Sequence, residues 1–93
     1  MYAKTVKVIN ASGLHARPAS DFVAKAKEFK SGIQIYRKED GAESAVNAKS
    51  VVLLLTLGVE QGEEVEITAQ GEDETEAVEA LVKLIEEGFG EVE

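Results

Sequence analysis

The chain has 93 residues, 44% of them hydrophobic and 30% charged, which suits a single domain (residues 1–93) around one core. It has no cysteine and a formal charge of −8, which excludes a disulfide framework and a thiolate metal site and disfavours nonspecific nucleic-acid binding. No apolar run nears the roughly 20 residues that span a bilayer, and residues 1–6 are too polar for a secretory signal, so a cytoplasmic location is expected.

Residues 2–9 hold β-branched residues in partial alternation, Val6 and Val8 against Thr5 and Lys7, and read as a strand. Asn10-Ala11-Ser12-Gly13 is turn chemistry. Ala19, Phe22, Val23, Ala26 and Phe29 then recur at three- and four-residue steps, the stripe of an amphipathic helix, with Gly32 as its expected stop. Ile33 and Ile35 alternate with Gln34 and Tyr36 in a second strand. Asp40-Gly41 signals a hairpin into a short third strand near residues 44–46.

Ser50-Val51-Val52-Leu53-Leu54-Leu55-Thr56 is ambiguous, because an apolar run this short fits a buried strand or a short buried helix equally well. Val65, Ile67 and Ala69 alternate with Glu64, Glu66 and Thr68 in a half-buried strand. Asp73 with Glu76 three residues on resembles a capping box. It opens a helix striped by Val78, Leu81, Val82 and Ile85 and ending near Gly88. The order is strand, helix, strand, strand, ambiguous segment, strand, helix: an α+β fold whose striped helices cover one face of a four-stranded sheet.

Charge is unevenly distributed. Residues 1–59 carry nine Lys/Arg against five Asp/Glu, a balance of +4; residues 60–93 carry one Lys against thirteen acids, a balance of −12. The acidic end reads as a solvated helix face, and pairs such as Glu63-Glu64 and Glu86-Glu87 as solvated surface. The basic part would steer acidic partners.

His15 is the sole histidine, set between a glycine turn and a helix start in Gly13-Leu14-His15-Ala16-Arg17-Pro18-Ala19. The first amides of a helix lack internal partners and sit at its positive end, a ready anion site. Pro18 suits that first turn and donates nothing, so the amides nearest His15 are those of Ala16 and Arg17. The Arg17 guanidinium can grip two phosphate oxygens at once. Imidazole is a competent nucleophile, and phosphoryl transfer asks mainly for positioning and for stabilisation of spread negative charge. No Walker loop, metal-ligand cluster or second acid/base accompanies His15, so neither a metal, a cofactor nor a self-sufficient enzyme is expected.

Gly-Leu-His-Ala-Arg-Pro-Ala-Ser at residues 13–20 resembles the active-site signature of the HPr family, the histidine-containing phosphocarriers of the bacterial sugar phosphotransferase system. A second family segment stands at Asn47-Ala48-Lys49-Ser50-Val51-Val52, running on to Leu57-Gly58. The resemblance implies an open-faced two-layer sandwich in the order βαββαβα. It implies that His15 is phosphorylated at Nδ1 by enzyme I, charged from phosphoenolpyruvate, and that the group passes to IIA domains of sugar permeases with Arg17 holding it. Ser50 matches the serine modified by an HPr kinase/phosphorylase in many members, a change that can also create a surface for a transcriptional regulator.

By the same resemblance the segment after Ser50 is a short helix. Val51, Leu54 and Leu55 are then candidates for an exposed docking patch, rimmed by Lys25, Lys27 and Lys49. The chain departs from the family in a longer hairpin at residues 36–46, and in Leu53, where a smaller residue is familiar. A monomer is expected. Two other roles fit the same residues: a paralogue in a regulatory or nitrogen-related phosphorelay, and a ligand-binding α+β module with no chemistry.

Overall fold

The structure, a computed structural model, describes residues 1–90. Four strands, β1 (Tyr2–Lys7), β2 (Gly32–Arg37), β3 (Val46–Asn47) and β4 (Glu64–Gln70), and three helices, α1 (Ala16–Ala26), α2 (Val51–Thr56) and α3 (Glu74–Glu86), follow in the order β1 α1 β2 β3 α2 β4 α3. The strands form one antiparallel sheet in the order β1-β4-β2-β3. Register follows from side-chain alternation, since a slip by one residue would turn each apolar set to solvent. Val6 stands opposite Val65, and Ile35 opposite Ile67, which fixes the apolar face. The three helices cover that face; the other carries Thr5, Gln34, Tyr36, Glu66 and Thr68. This is the α+β open-faced sandwich expected from the sequence.

The core forms where the helix stripes meet the sheet. Ala19, Phe22, Val23 and Ala26 of α1 and Val78, Leu81, Val82 and Ile85 of α3 are buried with Val6, Val8, Ile33, Ile35, Val65, Ile67 and Ala69. Each fully buried Val, Leu, Ile or Phe contributes about 1.5–3 kcal/mol. Phe29 lies beyond α1 and packs against this core from a half-buried position.

Several local expectations change. Gly32 is the first residue of β2 and not the stop of α1, which ends at Ala26 with Lys27 as its C-cap. The Asp40-Gly41 connection is two short 3-10 turns, Lys38–Asp40 and Ala42–Ser44, so the third strand begins at Val46. The segment after Ser50 is helical. Its N-cap is Ser50, whose Oγ accepts from the Leu53 amide at 3.2 Å.

The capping box at Asp73 does not form. Asp73 is the N-cap of α3, but its side chain turns away from the helix to the 30–31 turn. There it accepts from the Lys30 amide at 2.9 Å, and from the Ser31 amide and hydroxyl at 2.9 and 2.5 Å. Those bonds, the Ser31 hydroxyl foremost, lower its pKa to about 2. A carboxylate that reaches another element holds two parts of the fold together, which a local cap cannot do.

Candidate functional site

The loop leading into α1 is built around one glycine. Gly13 has φ +62, and a Cβ there would fall 2.4 Å from the Val59 carbonyl oxygen and 3.0 Å from Glu60 Cα. Only glycine admits so close an approach. The Gly13 amide donates to Asn10 O at 3.1 Å, the Asn10 side-chain amide to Gly13 O at 3.0 Å, and the Leu14 amide to Val59 O at 3.1 Å. The Leu14 side chain is fully buried. His15 thus follows an anchored residue, and its backbone is fixed against the 59–60 segment.

His15 is the N-cap of α1, with extended backbone (φ −124, ψ 165) and a side chain that caps no amide. Ala16 follows at φ +51, a left-handed conformation that costs an L residue about 1–3 kcal/mol. This strained hinge takes the chain from the extended His15 into the helix. Among the described residues the amides of Ala16 and Arg17 have no hydrogen-bond partner, and Pro18 has no N–H to offer. The exposed Arg17 side chain makes no ion pair or hydrogen bond among the described residues. Imidazole, two unpaired amides and an unengaged guanidinium therefore lie within three consecutive residues. That grouping can receive a tetrahedral anion.

Part of the surroundings of His15 comes from far along the chain. Its Nε2 lies 2.9 Å from Glu60 Oε2, with His15 partly exposed and Glu60 well exposed. Glu60 is in turn fixed by its own backbone, since its amide donates to Glu63 Oε1 at 2.7 Å. Glu63 Oε2 takes an Arg37 Nη2 bond at 2.6 Å. Arg37 also donates to Leu57 O, and Gly62 and Gln61 donate to Val8 O and Ile9 O. Glu63 is accordingly not solvated surface but a half-buried strut.

Eighty-six residues, 2–87, match the family model described as the PTS HPr component phosphorylation site. A "Phosphocarrier protein HPr" of Haemophilus influenzae is 49% identical over 85 residues, covering 91% of this chain and 95% of that protein. The chain belongs to the HPr family. A solved structure, HPr-C-His from Thermoanaerobacter tengcongensis, superposes over the whole of both chains with a TM-score of 0.91 at 45% identity. A "Multiphosphoryl transfer protein" of Vibrio cholerae is 40% identical over 90 residues, 97% of this chain and 22% of that protein, so an HPr-like unit also occurs inside a larger one. Members of the HPr family are phosphocarriers and not enzymes in their own right.

The second HPr segment carries the candidate docking patch, and one residue of it must be corrected. Leu54 is fully buried, facing the core with Leu57 and Val59, and is no docking residue. One turn of helix points only one of five consecutive apolar residues inward, and that one is Leu54. Val51 and Leu55 are exposed as expected, and Val52 and Leu53 join them; Val52, at 68%, is the most exposed of the four. Leu53, the departure from the family, therefore adds to the apolar patch without entering the core.

The three lysines differ. Lys27 is exposed and without an ion pair among the described residues, while Lys25 lies 3.4 Å from Glu28. Lys49 donates to Phe29 O at 2.7 Å and is half-buried, which ties the start of α2 to the end of the α1 segment.

No helix among the described residues is long and apolar enough to cross a membrane.

Proposed function

We propose that this HPr-family chain accepts a phosphoryl group on His15 Nδ1 from enzyme I, charged from phosphoenolpyruvate, and hands it to IIA domains of sugar permeases. The observation that carries the reading is the partly exposed His15 ring at the mouth of α1, beside the unpaired Ala16 and Arg17 amides. The nitrogen lone pair forms the N–P bond as the bond from phosphorus to the donor breaks. The amides and Arg17 take the three phosphoryl oxygens, whose charge the positive helix end favours by roughly 0.3–2 kcal/mol. So small a bias suits a carrier, which must release what it binds. The exposed Val51, Val52, Leu53 and Leu55 offer an apolar docking surface to both donor and acceptor.

Labelled phosphoenolpyruvate with enzyme I should place label on the parent chain and none on His15→Ala. Label on both, or on neither, would refute the assignment; label on neither would favour the paralogue.

Ser50 is the proposed regulatory site of an HPr kinase/phosphorylase. Its hydroxyl already caps α2, and a phosphate there would set about −1.5 to −2 charges beside the docking patch. Ser50→Asp should slow transfer from enzyme I while the fold persists. Unchanged kinetics would leave Ser50 a cap alone.

A further inference from the structure

We propose that Glu60 is the positioning residue of the His15 ring: it accepts a hydrogen bond from Nε2–H, holds the tautomer whose lone pair is on Nδ1, and balances the charge the ring gains when loaded. This inference rests on the carrier reading and adds to it a residue 45 positions further along the chain.

The geometry is specific. The Nε2 to Oε2 distance is 2.9 Å, that of a well-made hydrogen bond, and a carboxylate can only accept. A neutral imidazole has one N–H, so a proton on Nε2 leaves the pair on Nδ1. Ligand histidines at metal sites are oriented by the same device, a carboxylate on the second ring nitrogen.

Glu60 is held in place from two sides. Its amide bonds to Glu63, which Arg37 clamps at 2.6 Å, and the neighbouring Val59 carbonyl takes the Leu14 amide next to His15 itself. The absence of a Cβ on Gly13 lets these two stretches of backbone meet. The carboxylate and the ring are thus carried on segments bolted directly to one another.

Proton and electron bookkeeping also fits. On loading, the Nδ1 pair becomes the N–P bond and the donor keeps the pair of the bond that breaks. The Nε2 proton stays where it is, so the ring becomes a phosphorylated imidazolium facing the Glu60 carboxylate. On unloading, the N–P pair returns to Nδ1 and the ring is again neutral. No proton has to be found or lost in either direction.

The test uses the full chain with Glu60→Ala and Glu60→Gln, both at an exposed position where the fold should survive. Ring nitrogen shifts of the unloaded protein, measured by NMR above the histidine titration range, report the tautomer. The parent should show the Nε2–H form alone and Glu60→Ala a mixture. Glu60→Gln should keep the tautomer through its carbonyl oxygen but lack the charge. Phosphoryl acceptance from enzyme I should fall about three- to tenfold in Glu60→Ala, as expected for losing a charge-assisted bond at a partly exposed site, with Glu60→Gln between.

Parent-like tautomer and rate in Glu60→Ala would overturn the proposal. So would a rate loss with an unchanged tautomer, which would place Glu60 in partner docking, or a changed tautomer with an unchanged rate. If the parent itself takes no phosphoryl group, the carrier reading fails, and the tautomer spectra alone decide whether Glu60 positions the ring.

Discussion

Gly13 and Gly58 form a matched pair for testing how the His15 loop is built. Their φ values are +62 and +63, so alanine at either position meets the same left-handed penalty, about 1 kcal/mol. Their surroundings differ. At Gly58 nothing lies within 4 Å of an added Cβ, whereas at Gly13 the Val59 carbonyl oxygen stands at 2.4 Å. Because that oxygen is backbone and already accepts the Leu14 amide, it cannot swing aside without breaking the loop-to-loop bond. Forced overpacking of this kind costs roughly 1–3 kcal/mol more.

Gly13→Ala should therefore lose about 2–4 kcal/mol against about 1 for Gly58→Ala. In a domain of this size each kcal/mol is worth roughly 4–8 °C in Tm, so the two variants should differ by about 4–24 °C. Thermal unfolding followed by far-UV circular dichroism measures this directly. Equal Tm values would mean that the 13–15 loop is not packed on the 59–60 segment as described, and the placement of Glu60 beside His15 would fall with it.

Leu54→Ala should cost about 2–5 kcal/mol in urea unfolding, whereas Leu55→Ala should stay within about 1 kcal/mol and instead slow transfer with partner proteins; the reverse pattern would exchange their assignments. Arg17→Ala should lower the rate of phosphoryl acceptance strongly while leaving Tm unchanged, since the side chain is exposed and makes no ion pair or hydrogen bond among the described residues; an unaltered rate would remove Arg17 from the mechanism. Asp73 has a folded-state pKa of about 2, below its ordinary 3.8, so its stabilising contribution is complete above about pH 4 and is lost as pH falls through 2. The Tm gap between the parent and Asp73→Asn should shrink across that window, and a constant gap would contradict the Ser31 and Lys30 bonds.

Period carried most of the fold. The alternation of Val65, Ile67 and Ala69 and the stripe of Val78, Leu81, Val82 and Ile85 each state which side faces the core, and the structure buries all seven. Motif carried the centre of the site, because a helix start supplies its free amides to whatever precedes it, here His15. What local pattern could not show was long-range. The Asp73 carboxylate has a better partner in the 30–31 turn than in its own helix, and nothing within a few residues of Asp73 announces it.

Five consecutive apolar residues have no period, so the inward position, Leu54, depended on how α2 lies over the core. Glu60 is 45 residues from His15 and looked like one acid in an acidic third of the chain. Its only local sign was the Gly13 turn, which requires some other backbone to come very close.

His15 is the proposed bearer of a transferable phosphoryl group. Heteronuclear phosphorus–nitrogen NMR of nitrogen-labelled protein, charged with phosphoenolpyruvate and enzyme I, tests this most directly. One phosphorus signal coupled to His15 Nδ1, vanishing when an acceptor IIA domain is added, is the result predicted. A phosphorus bonded to Nε2 or to any other residue, or one that no acceptor discharges, would contradict it.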